Sequence, residues 1–238
     1  MGHGTVAVMA AAAAGVGPSD NDGGAGASQK QGQGQAQRRT GALQFGDERR
    51  RVTDSLLVIN AVCMMLQWLS KGLLTFWGAK VNSYIFEGQW WRLITPTFLH
   101  SGLFHLAINC YALNSLGPQV ETLTGPRRFA AIYLTSALTG TVASVLMTPQ
   151  PSLGASGAIF GLGASLALFY WRHKETLGST SDSMLKQLGI TVAINAAYSL
   201  AVKNIDNWGH VGGLLGGAAA SWLLGPHLIG KRHLTPYP

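Results

Sequence analysis

From Leu56 to Leu224 the chain passes through six long apolar stretches, at roughly 55–72, 95–116, 129–148, 153–171, 185–202 and 208–224. About 20 apolar residues carry an α-helix across a bilayer. The pattern therefore predicts an all-α bundle of six membrane-spanning helices. The first stretch carries Asn60 and Gln67; the fifth has Lys186 and Gln187 near its start and Asn195 and Tyr198 inside. The connection from Lys71 to Arg92 has another character. It holds Leu73, Leu74, Phe76, Trp77, Tyr84, Ile85, Phe86, Trp90 and Trp91. Aromatics at this density belong at the headgroup interface, which predicts a structured first loop half-sunk beside the bundle.

Residues 1–52 reverse the pattern. They are rich in Gly, Ala, Gln and Arg and almost free of bulky apolar side chains, the composition of a disordered low-complexity leader. The first acidic residue is Asp20, and Arg38 and Arg39 follow, as in an organellar transit peptide; a disordered cytoplasmic tail is the competing reading. Serines are few, only Ser19 and Ser28, and Val6 stands where a myristoylation signal requires Ser or Thr. The expected organisation is a leader (1–52), a membrane domain (53–226) and a C-terminal tail (227–238).

Composition agrees. Charged residues make up 11% of the 238, against about 25% in soluble domains, and the mean hydropathy is +0.20. The net charge of +7 does not point to nucleic acid. The basic residues form short clusters between apolar runs, with no stripe and no nucleic-acid motif. Those clusters orient the bundle by the positive-inside rule. Arg49, Arg50, Arg51, Arg127, Arg128, Arg172, Lys174, Lys186, Lys231 and Arg232 fall on one side, and Lys71, Lys80, Arg92 and Lys203 on the other. Both termini then share the positive face. Cys63 and Cys110 lie inside apolar runs, which argues against a disulfide framework.

Polar groups inside apolar spans are costly and mark function. The second span carries His100, His105 and Asn109. His105 and Asn109, four apart, share one helix face; His100 points elsewhere or precedes the regular helix. Ser156 lies near the start of the fourth span and His210 at the start of the sixth. Spans two, four and six run in the same direction, so their N-terminal ends meet in one leaflet and these four residues converge. With the fourth helix starting near Leu153, Ser156 lies about 5 Å below its mouth. Gly157-x-x-x-Gly161 and Gly209-x-x-x-Gly213-x-x-x-Gly217 are close-packing faces. If they face one another, Ser156 reaches His210. Alone, such a serine is ordinarily a packing residue and such a histidine a structural one; their convergence points to a site.

A serine nucleophile needs a base, and a histidine provides one at neutral pH. No acid lies within the convergent layer except Asp206 at its edge, so a Ser–His dyad is the economical reading. A tetrahedral oxyanion needs donors. The free N–H groups and positive dipole of the first helical turn supply some, and His105 and Asn109 could add side-chain donors. A zinc protease would require H-E-x-x-H, where this chain has H-L-A-I-N; two aspartates in spans are absent as well. A three-histidine metal site from His100, His105 and His210 would leave Ser156 idle. No metal and no cofactor are expected.

These motifs resemble the rhomboid family of intramembrane serine proteases, over about residues 53–226. The resemblance rests on Trp91-Arg92, His100-x-x-x-x-His105-x-x-x-Asn109, Gly117-x-x-x-Glu121-x-x-x-Gly125, Gly154-Ala155-Ser156-Gly157, and Gly209-His210 followed by Gly213 and Gly217. It implies Ser156 as nucleophile, His210 as base, and His105, Asn109 and the Ser156 N–H as oxyanion hole. Trp91, Arg92, Gly117, Glu121 and Gly125 would be structural. Phe160 stands where well-studied bacterial members have Tyr, keeping an aromatic face for His210 without the hydroxyl. The implied partners are transmembrane protein substrates and the lipid bilayer. The alternative, a proteolytically inactive rhomboid-like binder, usually lacks Ser or His. WGAKVNS, GPRRFAAIYLTSA and DNWGHVGGLLGG look most like the plastid rhomboids of plants, which implies a chloroplast membrane.

Overall fold

The computed structural model describes residues 43–201 and 205–226, without the side chains of 195, 196 and 198–201. The expectations for residues 1–42 of the leader and for the tail, 227–238, lie outside the described residues. Nine α-helices are described: α1 (Arg51–Leu69), α2 (Leu73–Gly78), α3 (Asn82–Phe86), α4 (Leu103–Thr124), α5 (Pro126–Met147), α6 (Ser156–Arg172), α7 (Lys174–Leu177), α8 (Ser179–Ala201) and α9 (Asn207–Leu224). The six long ones answer to the six apolar stretches. Two segments, 48–69 and 126–147, are each long and apolar enough on their own to cross a bilayer. Of the other long helices, α6 has 17 residues, while α4 and α9 dilute their apolar content with the glycines and polar groups that build the interior.

The second apolar stretch departs most from expectation. Helix α4 starts at Leu103, not near 95. Pro96 sits in a 3-10 turn over Thr95–Phe98, and Leu99 is extended at φ −99°, ψ 150°. His100 therefore precedes the helix. At the other end α4 continues through Gly117 and Pro118 to Thr124 and stops at Gly125, whose φ of +80° favours glycine. Gly125 in turn leads directly into Pro126, the first residue of α5.

The C-terminal half of α4 seats α1. A side chain at Gly117 would come within 2.7 Å of the Thr53 methyl, so the glycine sets the approach of the two helices. One turn on, the buried Glu121 carboxylate accepts from the backbone N–H groups of Val52 and Thr53 (both 2.9 Å) and from the Thr53 hydroxyl (2.8 Å). These are first-turn donors with no intrahelical acceptor. Residues 43–50, assigned to the leader by composition, belong to the same junction. Buried Arg50 donates to Asp54 Oδ1 (2.7 Å), Asn114 Oδ1 (2.6 Å) and the Leu43 carbonyl (2.7 Å).

The first loop is structured, as the aromatic pattern predicts. Arg92 is completely buried; it donates to the carbonyls of Phe76 (2.9 Å) and Ala79 (2.7 Å) and to Gln89 Oε1 (2.7 Å), with its guanidinium over the Tyr84 ring. Trp91 Nε1–H closes the loop on the Trp77 carbonyl at 3.0 Å. Phe76, Trp77, Phe86 and Trp90 remain exposed. Exposed apolar residues also cover the flanks of α1 (Val58, Ile59, Val62, Met65, Leu66) and α5 (Leu134, Leu138, Val142), an outer surface suited to lipid rather than water.

The centre is made by α5, α6 and α9. A Cβ at Gly213 would land on the Gly157 carbonyl, and one at Gly217 on the Gly161 backbone, so the two glycine faces do meet. The third partner is α5: a Cβ at Gly140 would lie 2.7 Å from the Gly209 carbonyl. Without side chains between them, the three backbones touch. Larger side chains fill the rest: Leu113 and Leu116 of α4, Phe129 and Ile132 of α5, and Ile159 and Leu162 of α6, all fully buried.

Candidate active site

Ser156 is the first residue of α6, at the helix mouth rather than about 5 Å inside it. The reason is local. Gly154 has a φ of +129°, outside the helical range, and its N–H is donated to the Pro96 carbonyl (2.9 Å). Two residues earlier, Ser152 pairs with Lys80 in an isolated antiparallel bridge. The chain is thus held extended until Ala155 and turns helical only at the serine. There the backbone N–H groups lack intrahelical acceptors and the dipole favours negative charge.

His210, in the first turn of α9, presents Nε2 to Ser156 Oγ at 2.9 Å. The Phe160 ring, one turn along α6 from the serine, stacks on the imidazole. Both depend on the glycine contact, since a wider α6–α9 spacing would part the hydroxyl from the ring. A cleft opens beside the pair. Its walls include Pro96, Thr97, Thr141, Ser152, Leu153 and Asp206.

The two other polar residues of the convergent layer sit one step away. The His105 ring lies against Gly154: a Cβ there would be 2.7 Å from His105 Cε1 and 2.9 Å from Nε2. Ser101 Oγ lies 3.1 Å from His105 Nδ1. Asn109 is completely buried and donates from Nδ2 to the His105 carbonyl (2.9 Å), while its Oδ1 has no partner among the described residues. His100, outside the helix, packs edge-on to His105 with ring centroids 5.3 Å apart. Its backbone is clamped by Gln67, which accepts from the His100 N–H and donates to the His100 carbonyl (both 3.0 Å).

Asp206, the only acid near the layer by sequence, is engaged elsewhere. Its Oδ1 caps α9 by accepting from Gly209 N–H (2.9 Å), and its Oδ2 accepts from Ser144 Oγ (2.5 Å). Three groups near the site escape a motif search: Gln67, Ser144 and Lys80. Lys80 is completely buried, and burial pushes its ammonium below the ordinary lysine value, opposed by the Asp206 carboxylate. The one signal in the sequence is that Lys80 is the one cation between Lys71 and Arg92, amid the aromatic run of the first loop.

A model of the Rhomboid domain matches residues 87–227. Over 208 residues the chain is 41% identical to the Rhomboid protease GluP of Bacillus subtilis, covering 84% of this chain and 40% of that protein. It is 34% identical over 155 residues to RHOMBOID-like protein 9, chloroplastic, of Arabidopsis thaliana, covering 64% and 35%. It is 33% identical over 178 residues to YdcA of B. subtilis, covering 72% and 87%. The chain belongs to the rhomboid family and is an integral membrane protein. It spans less than half the length of GluP and of RHOMBOID-like protein 9.

Proposed function

We propose that the chain is an intramembrane serine endopeptidase that cleaves transmembrane segments of other membrane proteins through a Ser156–His210 dyad. The observation that carries this reading is the 2.9 Å approach of His210 Nε2 to Ser156 Oγ at the N-terminus of α6. Its membrane domain is read as six spans, α1, α4, α5, α6, α8 and α9, with both termini on the positive face.

The chemistry follows from the arrangement. Ser156 Oγ attacks the scissile carbonyl carbon while its proton passes to His210 Nε2. The oxyanion forms against the Ser156 N–H and the α6 dipole, with His105 and Asn109 as side-chain donors. His210 then gives the proton to the leaving nitrogen as the C–N bond breaks. Water attacks the acyl-serine, its proton going to His210 and on to Ser156 Oγ, and the carboxylic acid product leaves. Pairing of the α6 and α9 glycines brings nucleophile and base together without a third catalytic acid.

The proposed site of action is a chloroplast membrane, reached by means of the leader; the name of the RHOMBOID-like protein 9 relative, chloroplastic, supports this. Because residues 43–50 pack on α1 and α4, the part of the leader that import can remove without harm ends before residue 43.

The test is reconstitution of the purified chain in liposomes with a model single-span substrate carrying small residues near the membrane surface. A new N-terminus within or beside the substrate helix, absent with Ser156→Ala, is expected. An uncut substrate panel with folded protein contradicts the reading.

A further inference from the structure

The eight residues from Thr148 to Ala155 deliver Ser156 to its place, yet Pro149, Pro151 and Gly154 leave this connection little hydrogen bonding of its own. Its order comes from the first loop. Lys80 exchanges both backbone hydrogen bonds with Ser152, at 3.0 and 3.2 Å. Its ammonium donates to the carbonyls of Ser144 (3.2 Å), Thr148 (2.8 Å) and Gln150 (2.9 Å). An ammonium has three N–H groups, so these acceptors satisfy it fully. Ser144 is also within the last turn of α5, where the dipole favours a cation, and its carbonyl takes the Thr148 N–H (3.0 Å) as well as the ammonium. Asn82 Nδ2 adds bonds to the carbonyls of Val145 (2.9 Å) and Thr148 (3.1 Å).

The same Ser144 faces the other half of the site. Its carbonyl accepts from Lys80 while its hydroxyl donates to Asp206 Oδ2, and Asp206 Oδ1 holds the Gly209 N–H, one residue before His210. A continuous hydrogen-bonded path thus runs from Ser152, four residues before the nucleophile, through Lys80, Ser144 and Asp206 to the residue preceding the base.

Building on the dyad reading, we infer that Lys80, Ser144 and Asp206 are positioning residues that hold the Ser156 loop and the start of α9 in register. The glycine core sets the spacing of α6 and α9, whereas this path sets where along them the hydroxyl and the imidazole stop. A misplacement of about 1 Å costs on the order of 100-fold in rate, so the path acts on chemistry more than on binding.

The experiment measures acylation of the full chain in detergent by a fluorophosphonate, separating the maximal rate (kinact) from the half-saturating concentration (KI), with thermal unfolding alongside. Ser144→Ala removes only the hydroxyl and keeps the carbonyl for Lys80. Ser144→Ala and Lys80→Met are expected to lower kinact about 10- to 100-fold, with KI little changed and Ser144→Ala unfolding near the wild-type temperature. Ser144→Ala combined with Asp206→Ala should be no slower than Asp206→Ala alone, because one path is broken once. If Lys80→Met does not fold, the Ser144 and Asp206 variants decide. Wild-type kinact in Ser144→Ala, a rise in KI alone, or additive losses in the double variant would overturn the inference while leaving the dyad standing. A wild-type protein that is folded but never acylated would overturn the dyad, and the inference with it.

Discussion

The Phe160 ring stacks on the His210 imidazole with centroids 4.4 Å apart and planes within 15°. The aromatic residue belongs to the helix of the serine and the imidazole to the facing helix. The stack therefore fixes the ring plane in which Nε2 meets Ser156 Oγ. Such pairs contribute about 0.5–1.5 kcal/mol beyond burial. Phe160→Leu is expected to slow acylation by roughly 2- to 12-fold through a less restrained base, whereas Phe160→Tyr keeps the face and a near wild-type rate. Equal rates for Leu and Phe would show that the stack does not hold the base.

Gly213 and Gly154 test the backbone approach from two sides. A methyl group at 213 would land on the Gly157 carbonyl, so Gly213→Ala must push α9 from α6. Overpacking costs about 1–3 kcal/mol, and the expected result is lower stability in denaturant titration together with loss of acylation. Gly154→Ala meets both the His105 ring and a φ of +129°. It is expected to impair acylation with a smaller loss of stability, since it strains the serine's approach and not the core.

The N-terminal junction predicts where the chain can be shortened. Deletion of residues 1–42 should leave folding and acylation intact. Deletion through residue 52 removes Arg50 and the Gly46 N–H, both of which bond the Asp54 carboxylate (2.7 Å each). Leaving a buried charge unpaired costs about 3–5 kcal/mol, so this shorter chain should unfold far more readily. Glu121→Ala should weaken the same junction, since hydrogen bonds to a charged group contribute about 1.5–3 kcal/mol each. Equal stability of all these proteins in denaturant titration would contradict the assignment.

His105 and Asn109 are expected to act on the transition state. Loss of a comparable oxyanion donor costs about 10²–10³ in rate. Asn109→Ala should show it most cleanly in kcat on a transmembrane substrate. His105→Ala also removes the ring that packs on Gly154, so its loss should include a change in the Ser156 loop. Full turnover in both variants would remove them from the oxyanion hole.

How much of this was legible in the sequence differs from element to element. The apolar pattern located the six long helices, because each carries a long run of apolar residues with few charges inside it. The Gly157, Gly161, Gly213 and Gly217 spacing indicated the α6–α9 contact, because only small residues let backbones touch. The start of α4 was misplaced because Leu93, Ile94, Phe98 and Leu99 extend the apolar pattern upstream of Leu103, although Pro96 and Gly102 mark a break in the helix. Asp206 stands at the edge of the convergent layer by sequence, and nothing local shows that its two oxygens are taken by Gly209 and Ser144. Lys80 counted in the sequence only as one of four cations on the less positive side. Its burial depends on carbonyls from α5 and the following loop, more than sixty residues away, and no local pattern records such a partner.

The most direct measurement is the mass of the protein after fluorophosphonate treatment in detergent, with the modified residue located by peptide mapping. One adduct on Ser156 is predicted in the wild-type chain, and none in Ser156→Ala or His210→Ala, both of which should unfold at close to the wild-type temperature. The double variant should be no less active than either single one, because the two residues act as a unit. An adduct on another residue, or substrate cleavage that persists in purified Ser156→Ala, would contradict the account.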